Sequence, residues 1–194
     1  MGSGEPAEGA FMTTTKHLKT KVCLVGEKAV GKTSLIRRYV LDMFDDRYVT
    51  TIGTKVSKRE MRVFLPDKDL LVHIDMTIWD IMGEKGFQEL LKDAYFYGAN
   101  GILAVADLTR RRSLVDLDDW IDGVEQVVGR VPVLIAINKA DLPAQAEFEA
   151  STVEQIAKAF QCDYLMTSAK TGENVEEAFR RLGASVAAEQ LAHG

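Results

Sequence analysis

The segment GEKAVGKT, residues 26–33, places two glycines, two lysines and a hydroxyl residue between an apolar run and a helix-like run. It matches the pattern GxxxxGK[ST], which is typical of a phosphate-binding loop when a strand precedes it and a helix follows. Glycine lets the backbone turn tightly, so that successive N–H groups and a helix N-terminus face an anion. Lys32 adds a positive charge for the outer phosphates, and Thr33 offers a hydroxyl to Mg²⁺. The segment therefore predicts a phosphate site.

The tetrapeptide NKAD, residues 138–141, follows the apolar run VPVLIAIN and has the pattern NKxD. The edge of guanine that distinguishes it from adenine presents two N–H donors, and the carboxylate of Asp141 can accept both. Asn138 either bonds the base or ties neighbouring loops together, and the stem of Lys139 can lie against the ring. A second motif, SAK at 168–170, closes the last strand candidate. Together with the phosphate loop, these motifs predict a guanine nucleotide as the ligand.

The pentapeptide WDIMG, residues 79–83, ends the third strand candidate and contains the pattern DxxG. Asp80 is placed to hold Mg²⁺ through water, as carboxylates do in phosphate-loop proteins. The backbone N–H of Gly83 can meet a terminal phosphate. A metal-assisted phosphate site is the expected result.

With YVTTIG at 48–53 added, these motifs occur in the order and at the spacing of a known family. Over residues 20–192 the chain resembles a Ras-superfamily small GTPase of the Rab-like branch. The resemblance implies that Phe44 covers the guanine and that Tyr48 closes over the phosphates. It also implies that Thr51 binds Mg²⁺ and the γ-phosphate in the GTP state only, with a switch I at about 43–55 and a switch II at about 81–98.

The motifs and the resemblance together define the predicted site. The expected metal residues are Thr33, Thr51 and Asp80, with Mg²⁺ and GTP or GDP bound, and the expected catalytic residues are Lys32, Thr51, Gly83 and Glu84. The expected nucleotide-binding residues are Gly26, Glu27, Lys28, Ala29, Val30, Gly31, Lys32, Thr33, Ser34, Phe44, Tyr48, Thr51, Asp80, Gly83, Asn138, Lys139, Asp141, Ser168, Ala169 and Lys170.

Two segments depart from the family pattern. DIMGE stands where the family has DTAGQ, so Glu84 replaces the glutamine that orients the attacking water, and Ile81 and Met82 replace small residues. A carboxylate accepts hydrogen bonds from water but cannot donate an amide hydrogen bond to the transferring group. Hydrolysis is then either slow or uses Glu84 as a proton acceptor. Lys28 stands where the family has glycine or serine; it either lies beside the γ-phosphate, facing Glu84, or points to solvent.

Three functions follow from these alternatives. The leading one is a guanine-nucleotide switch with slow GTP hydrolysis, which contacts an effector through the switch regions and responds to an exchange factor and a GTPase-activating protein. The second is a GTP- or GDP-binding interaction module with negligible hydrolysis, because of Lys28, Met82 and Glu84. The third is a phosphate-loop kinase, which would leave NKAD and SAK without a role.

These residues must be positioned by the secondary structure around them. Along the chain, apolar runs of strand length alternate with segments of helical period. This alternation is typical of an α/β fold with helices on both faces of a mostly parallel sheet. The turn PDKD at 66–69 predicts one antiparallel hairpin. We expect a phosphate-loop NTPase small G domain with about five helices and a six-stranded mixed sheet, with strands at 22–25, 61–65, 70–80, 101–107, 131–138 and 163–168.

Apolar residues recur every three or four positions from Ser113 to Val127 and from Val175 to Leu191, which predicts two long helices. Ser113 and Asp116 are the expected caps of the first. The run Arg110, Arg111 and Arg112 is interpreted as a solvated basic face. The three histidines lie far apart along the chain, which argues against a metal site made of histidine.

Composition limits the remaining function classes. The formal charge of -5 disfavours a nucleic-acid partner, and two cysteines without paired spacing suit a reducing cytoplasm. We expect a monomer with a flexible or non-native tail at 1–20 and one G domain at 21–194. No apolar run reaches the length of a membrane span, so we expect no intrinsic membrane anchor. EQLAHG at the end of the chain contains no cysteine for prenylation; either a lipid-bearing end has been removed, or the protein acts without a lipid, as prokaryotic relatives can.

Overall fold

The structure, a computed structural model, describes residues 14–45, 53–83 and 93–193 of the 194-residue chain. Its strands are β1 (Thr14–Val25), β2 (Thr54–Leu65), β3 (Leu70–Ile81), β4 (Gly101–Asp107), β5 (Val133–Asn138) and β6 (Asp163–Met166). Its α-helices are α1 (Lys32–Leu41), α2 (Arg111–Val115), α3 (Leu117–Val128), α4 (Ala150–Ala159) and α5 (Val175–His193). Short 3₁₀ turns occupy Pro66–Lys68 and Pro143–Gln145, and one helical turn occupies 93–96.

The six strands form one sheet in the order β2-β3-β1-β4-β5-β6. Only the β2–β3 pair is antiparallel among the described strands, and its connection runs through the predicted turn at 66–69. This confirms the mixed six-stranded sheet and the α/β fold expected from the sequence. Because the order reverses between β1 and β4, the crevice beyond the carboxyl ends of these two strands is where such folds bind ligands.

Each face of the sheet carries its own apolar core. On one face, side chains of α1 and α5, including Leu35, Tyr39 and Phe179, pack against alternate residues of the strands. On the other face, α2, α3 and α4 contribute residues such as Trp120 and Val153. Consecutive side chains of a strand point to opposite faces, so a central strand covered on both sides must be apolar throughout. All seven residues of β4 are buried accordingly.

Two strands are longer than the sequence indicated. We predicted that residues 14–20 belong to a flexible tail and that the second strand spans 61–65, but β1 begins at Thr14 and β2 at Thr54. Both predictions were wrong because these segments are mostly polar and lack the apolar run expected of a strand, yet both pair with β3. The β1–β3 pairing begins at Thr14↔Leu70, and the β2–β3 pairing begins at Thr54↔Ile81. Two ends are shorter than predicted: β5 begins at Val133, and β6 ends at Met166.

The predicted helix from Ser113 is divided in two. Leu114, Leu117, Trp120, Ile121 and Val124 are buried as their spacing indicated, but α2 begins at Arg111 and ends before Asp116. Neither predicted cap is formed, because Ser113 lies inside α2 and donates to the Arg110 carbonyl, and Asp116 makes no capping hydrogen bond to α3. The second predicted helix is α5. Among the described residues, no helix is both long and apolar enough to cross a membrane.

Strand register brings the motifs to one edge. Leu24 pairs with Asp80 and Asp107 pairs with Asn138, so the ends of β1, β3, β4 and β5 lie side by side. The loops that follow these ends carry the phosphate-loop, DxxG and NKxD motifs. The parallel sheet alone therefore assembles segments that lie more than a hundred residues apart.

Candidate functional site

The phosphate loop connects β1 to α1 and has no room for a side chain at its last glycine. Gly31 is left-handed, with φ of 102°, and a Cβ there would lie 2.1 Å from Nδ2 of Asn138. A residue with a side chain would thus be strained and would collide with the NKxD motif. Gly31 is also the N-cap of α1, so the loop ends where unpaired helix N–H groups favour negative charge.

Lys32 folds back over the loop. Its Nζ donates to the carbonyls of Gly26 at 2.6 Å and Glu27 at 2.7 Å, and the residue is buried. Burial lowers the pKa of Lys32 to about 8, while the charge of Asp80 acts in the opposite direction. The ammonium group is therefore held beside the loop, in a place where a bound anion would favour its charged form.

Thr33 and Asp80, two of the predicted metal residues, are in contact. The Thr33 hydroxyl donates to Oδ2 of Asp80 at 2.5 Å. Among the described residues, the buried Oδ1 of Asp80 has no hydrogen-bond partner. Burial raises the pKa of Asp80, against the hydrogen bond from Thr33 and the charge of Lys32. A buried carboxylate oxygen without a partner next to a hydroxyl is a donor set that fits a hard cation such as Mg²⁺.

The DxxG segment lies against the phosphate loop. A Cβ at Gly83 would lie 2.4 Å from the Lys28 nitrogen and 2.5 Å from the Glu27 carbonyl carbon, so only glycine permits this approach. Ile81 and Met82, which replace small family residues, are both buried, and the Met82 N–H donates to the Gly53 carbonyl. The two bulky side chains are thus accommodated inside the protein.

Asn138 connects the phosphate loop to the SAK motif. Its Nδ2 donates to the Val30 carbonyl at 2.9 Å, and its Oδ1 accepts the Ala169 N–H at 3.1 Å. Of the two roles that the sequence left open, the structure shows the loop-tying one, with both ends of the amide engaged. Because the side chain is buried, these hydrogen bonds fix the spacing between the two loops.

Asp141 and Lys139 are also held by neighbours. The Ser168 hydroxyl donates to Oδ1 of Asp141 at 2.6 Å, which orients the carboxylate. Nζ of Lys139 lies 2.5 Å from Oδ2 of Asp107, a side chain with no exposed surface at the end of β4. Burial alone would raise the pKa of Asp107, but hydrogen bonds from Lys139 and Thr109 bring it below its ordinary value. Asp107 therefore stays ionised and anchors the NKxD lysine.

Arg110 is a residue that the sequence interpretation missed. It was assigned to a solvated basic face, yet it is only partly exposed, and its Nη2 donates to the Lys28 carbonyl at 2.8 Å. Its Nε lies 3.1 Å from Oδ2 of Asp107, and its Nη1 lies 3.7 Å from Glu27. The signal that could have found it is Asp107, because a carboxylate ending a buried strand needs cationic partners nearby.

The remaining predicted residues are those that the structure describes and those that lie outside the described part of the chain. Lys28, Ala29 and Lys170 are exposed, and Phe44 packs half-buried against the core beneath α1 and α5, whereas Ser34 lies in the first turn of α1. The predictions for Tyr48, Thr51 and Glu84 lie outside the described residues, as do parts of both switch regions.

Two comparisons with known proteins show the family of the chain. The profile of the Ras family matches residues 21–188 of the chain. The Ras-related protein Rab-13 of Rattus norvegicus is 32% identical over 167 residues, which cover 86% of this chain and 79% of Rab-13. The fold, the order of the motifs and both similarities lead to one conclusion: the chain belongs to the Ras family, as a Rab-like, GTP-binding small GTPase.

Proposed function

We propose that the protein is a molecular switch that binds GTP and GDP with Mg²⁺ and hydrolyses GTP slowly. The observation that carries this proposal is the buried Asn138 amide, which joins the phosphate loop to the SAK motif. A phosphate-binding segment and a base-binding segment held at fixed spacing can recognise both ends of one nucleotide. Ser168 supports guanine as the base, since it orients the Asp141 carboxylate that would accept the two N–H donors.

Mg²⁺ would be held by Thr33 and Asp80, with Thr51 joining them in the GTP state. When bound, the metal ion neutralises charge on the phosphate oxygens. Lys32 contributes the second positive charge on the same side of the site. The protein would act mainly through positioning and electrostatics, because phosphoryl transfer to water needs no covalent intermediate on the protein.

Slow hydrolysis is proposed because Glu84 replaces a residue that both accepts and donates hydrogen bonds. Its negative charge would also lie near the negative charge that develops on the phosphoryl group. If Glu84, Met82 and Lys28 suppress the reaction entirely, the protein is a nucleotide-dependent interaction module. In both cases, the segments at about 43–55 and 81–98 would present an effector surface, and an exchange factor and a GTPase-activating protein would act on a monomer.

Nucleotide chromatography followed by a turnover assay tests these alternatives. Nucleotide released from the purified protein should be GDP or GTP, and added GTP should yield phosphate at a low rate with Mg²⁺. Bound guanine nucleotide without phosphate release would favour the interaction module. Bound adenine nucleotide, or transfer of phosphate to a small acceptor, would contradict both and favour a kinase.

A double-mutant cycle tests whether Lys28 and Glu84 act together. Single-turnover hydrolysis is measured for Lys28→Gly, Glu84→Gln and the double variant. We expect the effects on the rate to be non-additive, since two opposite charges beside one phosphoryl group influence each other. Additive or absent effects would contradict the coupling while leaving nucleotide binding intact.

A further inference from the structure

The guanidinium of Arg110 links three parts of the site. It donates to the Lys28 carbonyl of the phosphate loop, pairs with Asp107 at the end of β4 and lies near the Glu27 carboxylate. Arg110 belongs to the turn between β4 and α2, far from the phosphate loop in sequence. Its three partners surround a side chain that is about one-third exposed, so this is a defined contact and not a mobile surface charge.

The hydrogen bond to Lys28 fixes the orientation of one peptide unit. In a trans peptide the carbonyl and the N–H of the next residue point in opposite directions. Because the Lys28 carbonyl points to the Arg110 guanidinium, the N–H of Ala29 is directed away from Arg110. Ala29 has a positive φ of 61°, which a residue with a side chain adopts only when its surroundings enforce it.

A second connection runs to the base side. Oδ2 of Asp107 accepts from Arg110 and also lies beside Nζ of Lys139, while its Oδ1 accepts from the N–H and hydroxyl of Thr109. Asp107 thus has partners on both oxygens, although its side chain has no exposed surface. A buried carboxylate that is fully partnered is a rigid anchor. Arg110 is the part of this anchor that reaches the phosphate loop.

We propose that Arg110 is a positioning residue for the nucleotide: it orients the Lys28–Ala29 peptide so that the Ala29 N–H donates to a phosphate of the bound nucleotide. This inference rests on the proposed function, since it concerns the same site. It adds a residue outside the sequence motifs, and it assigns the phosphate-loop geometry partly to the turn after β4. Arg110 itself contacts the loop and not the nucleotide.

Two measurements on the GDP-bound protein test the proposal. In Arg110→Ala, GDP dissociation should be about tenfold faster, because one charge-assisted anchor of the loop is lost. The Ala29 amide proton should also move upfield, since its hydrogen bond to phosphate weakens. The matched control is Arg111→Ala, which removes the same charge from the next residue along the chain. Within the described residues, the Arg111 side chain makes no contact with the phosphate loop. In the control, the GDP dissociation rate should stay within about twofold of wild type, and the Ala29 amide proton should not shift.

Arg110→Lys separates positioning from simple stabilisation. The lysine keeps a positive charge beside Asp107, so the thermal midpoint should stay near that of wild type. It lacks the fork that reaches Asp107 and the Lys28 carbonyl together, so the dissociation rate and the Ala29 shift should resemble those of Arg110→Ala. Wild-type values in both Arg110 variants would overturn the proposal. Failure of the wild-type protein to bind GDP would instead refute the proposed function.

Discussion

The phosphate side and the base side of the site differ in how their polar groups are satisfied. On the base side, both ends of the Asn138 amide and Oδ1 of Asp141 form hydrogen bonds with neighbouring protein groups. On the phosphate side, Asp80 keeps one buried oxygen without a partner among the described residues, and burial lowers the pKa of Lys32 to about 8. The base side is thus organised before a ligand binds, whereas the phosphate side contains charges that a ligand and a metal would stabilise.

This difference indicates that the phosphate side supplies most of the binding energy and that the base side supplies the specificity for the base. A buried charge without a full set of partners destabilises the protein, and a ligand of opposite charge removes that cost on binding. A prearranged hydrogen-bonding edge loses little entropy on binding and discriminates between bases by leaving a wrong base unpaired. We therefore expect changes on the phosphate side to affect affinity most, and changes on the base side to affect stability as well.

The largest effect is expected for Lys32→Met. Loss of the buried ammonium should weaken GDP binding by about a hundredfold or more, since charge-assisted hydrogen bonds to phosphate are the strongest in the site. Equilibrium titration with a fluorescent GDP analogue measures this. The control is Lys21→Met, which removes another lysine that donates to a backbone carbonyl, that of Tyr97 at 2.8 Å, away from the site. Equal losses in both variants would contradict a special role for Lys32.

A smaller effect, on stability, is expected for Asn138→Ala. The variant loses two buried hydrogen bonds, and the free energy of unfolding should fall by about 2–3 kcal/mol in urea. Asn100→Ala is the control, because Asn100 accepts one hydrogen bond, from the Lys21 N–H at 2.8 Å, and should cost about 1 kcal/mol. If both variants lose the same free energy, the loop-tying role of Asn138 is not distinctive.

Asp80→Asn should change the response to Mg²⁺. In the wild-type protein, removal of Mg²⁺ with a chelator should accelerate GDP release, because Asp80 helps to hold the metal. In the variant, the chelator should accelerate GDP release about tenfold less than in the wild-type protein, since an amide is a weaker ligand for a hard cation. Asp75→Asn, on the exposed side of the same strand, should respond as wild type does. An unchanged chelator effect in Asp80→Asn would remove this residue from the metal site.

The smallest effect is expected from pH. The pKa of Lys32 in the nucleotide-free protein, about 8, lies below its ordinary value of 10.5. The nucleotide-free fold therefore binds fewer protons than the unfolded chain above pH 8, and its stability gains as Lys32 loses its proton. GDP needs the charged form, so its binding takes up a proton, and its affinity should fall by less than about tenfold from pH 8 to 9.

Calorimetry in buffers of different ionisation enthalpy measures this proton uptake. Lys32→Arg provides the control, because a guanidinium keeps its charge at pH 9 and the ionisation of the base itself is unchanged. Identical pH profiles for the variant and the wild-type protein would show that Lys32 does not titrate in this range.

Much of the fold and site followed from local patterns. The phosphate loop, WDIMG and NKAD each follow an apolar run, and parallel strands bring their carboxyl ends to one edge, so their proximity was predictable. The early part of β1 was not predictable, since TTKHLKT has the polarity of a tail and becomes a strand only because β3 supplies hydrogen bonds. His17 and His73, far apart in sequence, have ring centroids 4.7 Å apart for the same reason.

The sequence by itself determined the class of ligand, because guanine and phosphate recognition depend on residue types at fixed local spacing, as in GEKAVGKT and NKAD. Only the tertiary structure decided that Asn138 ties two loops, that Asp80 keeps a buried oxygen without a partner among the described residues, and that Arg110 reaches the phosphate loop. These contacts join residues distant in sequence. Their partners are set by strand register and turn geometry, which local patterns do not encode.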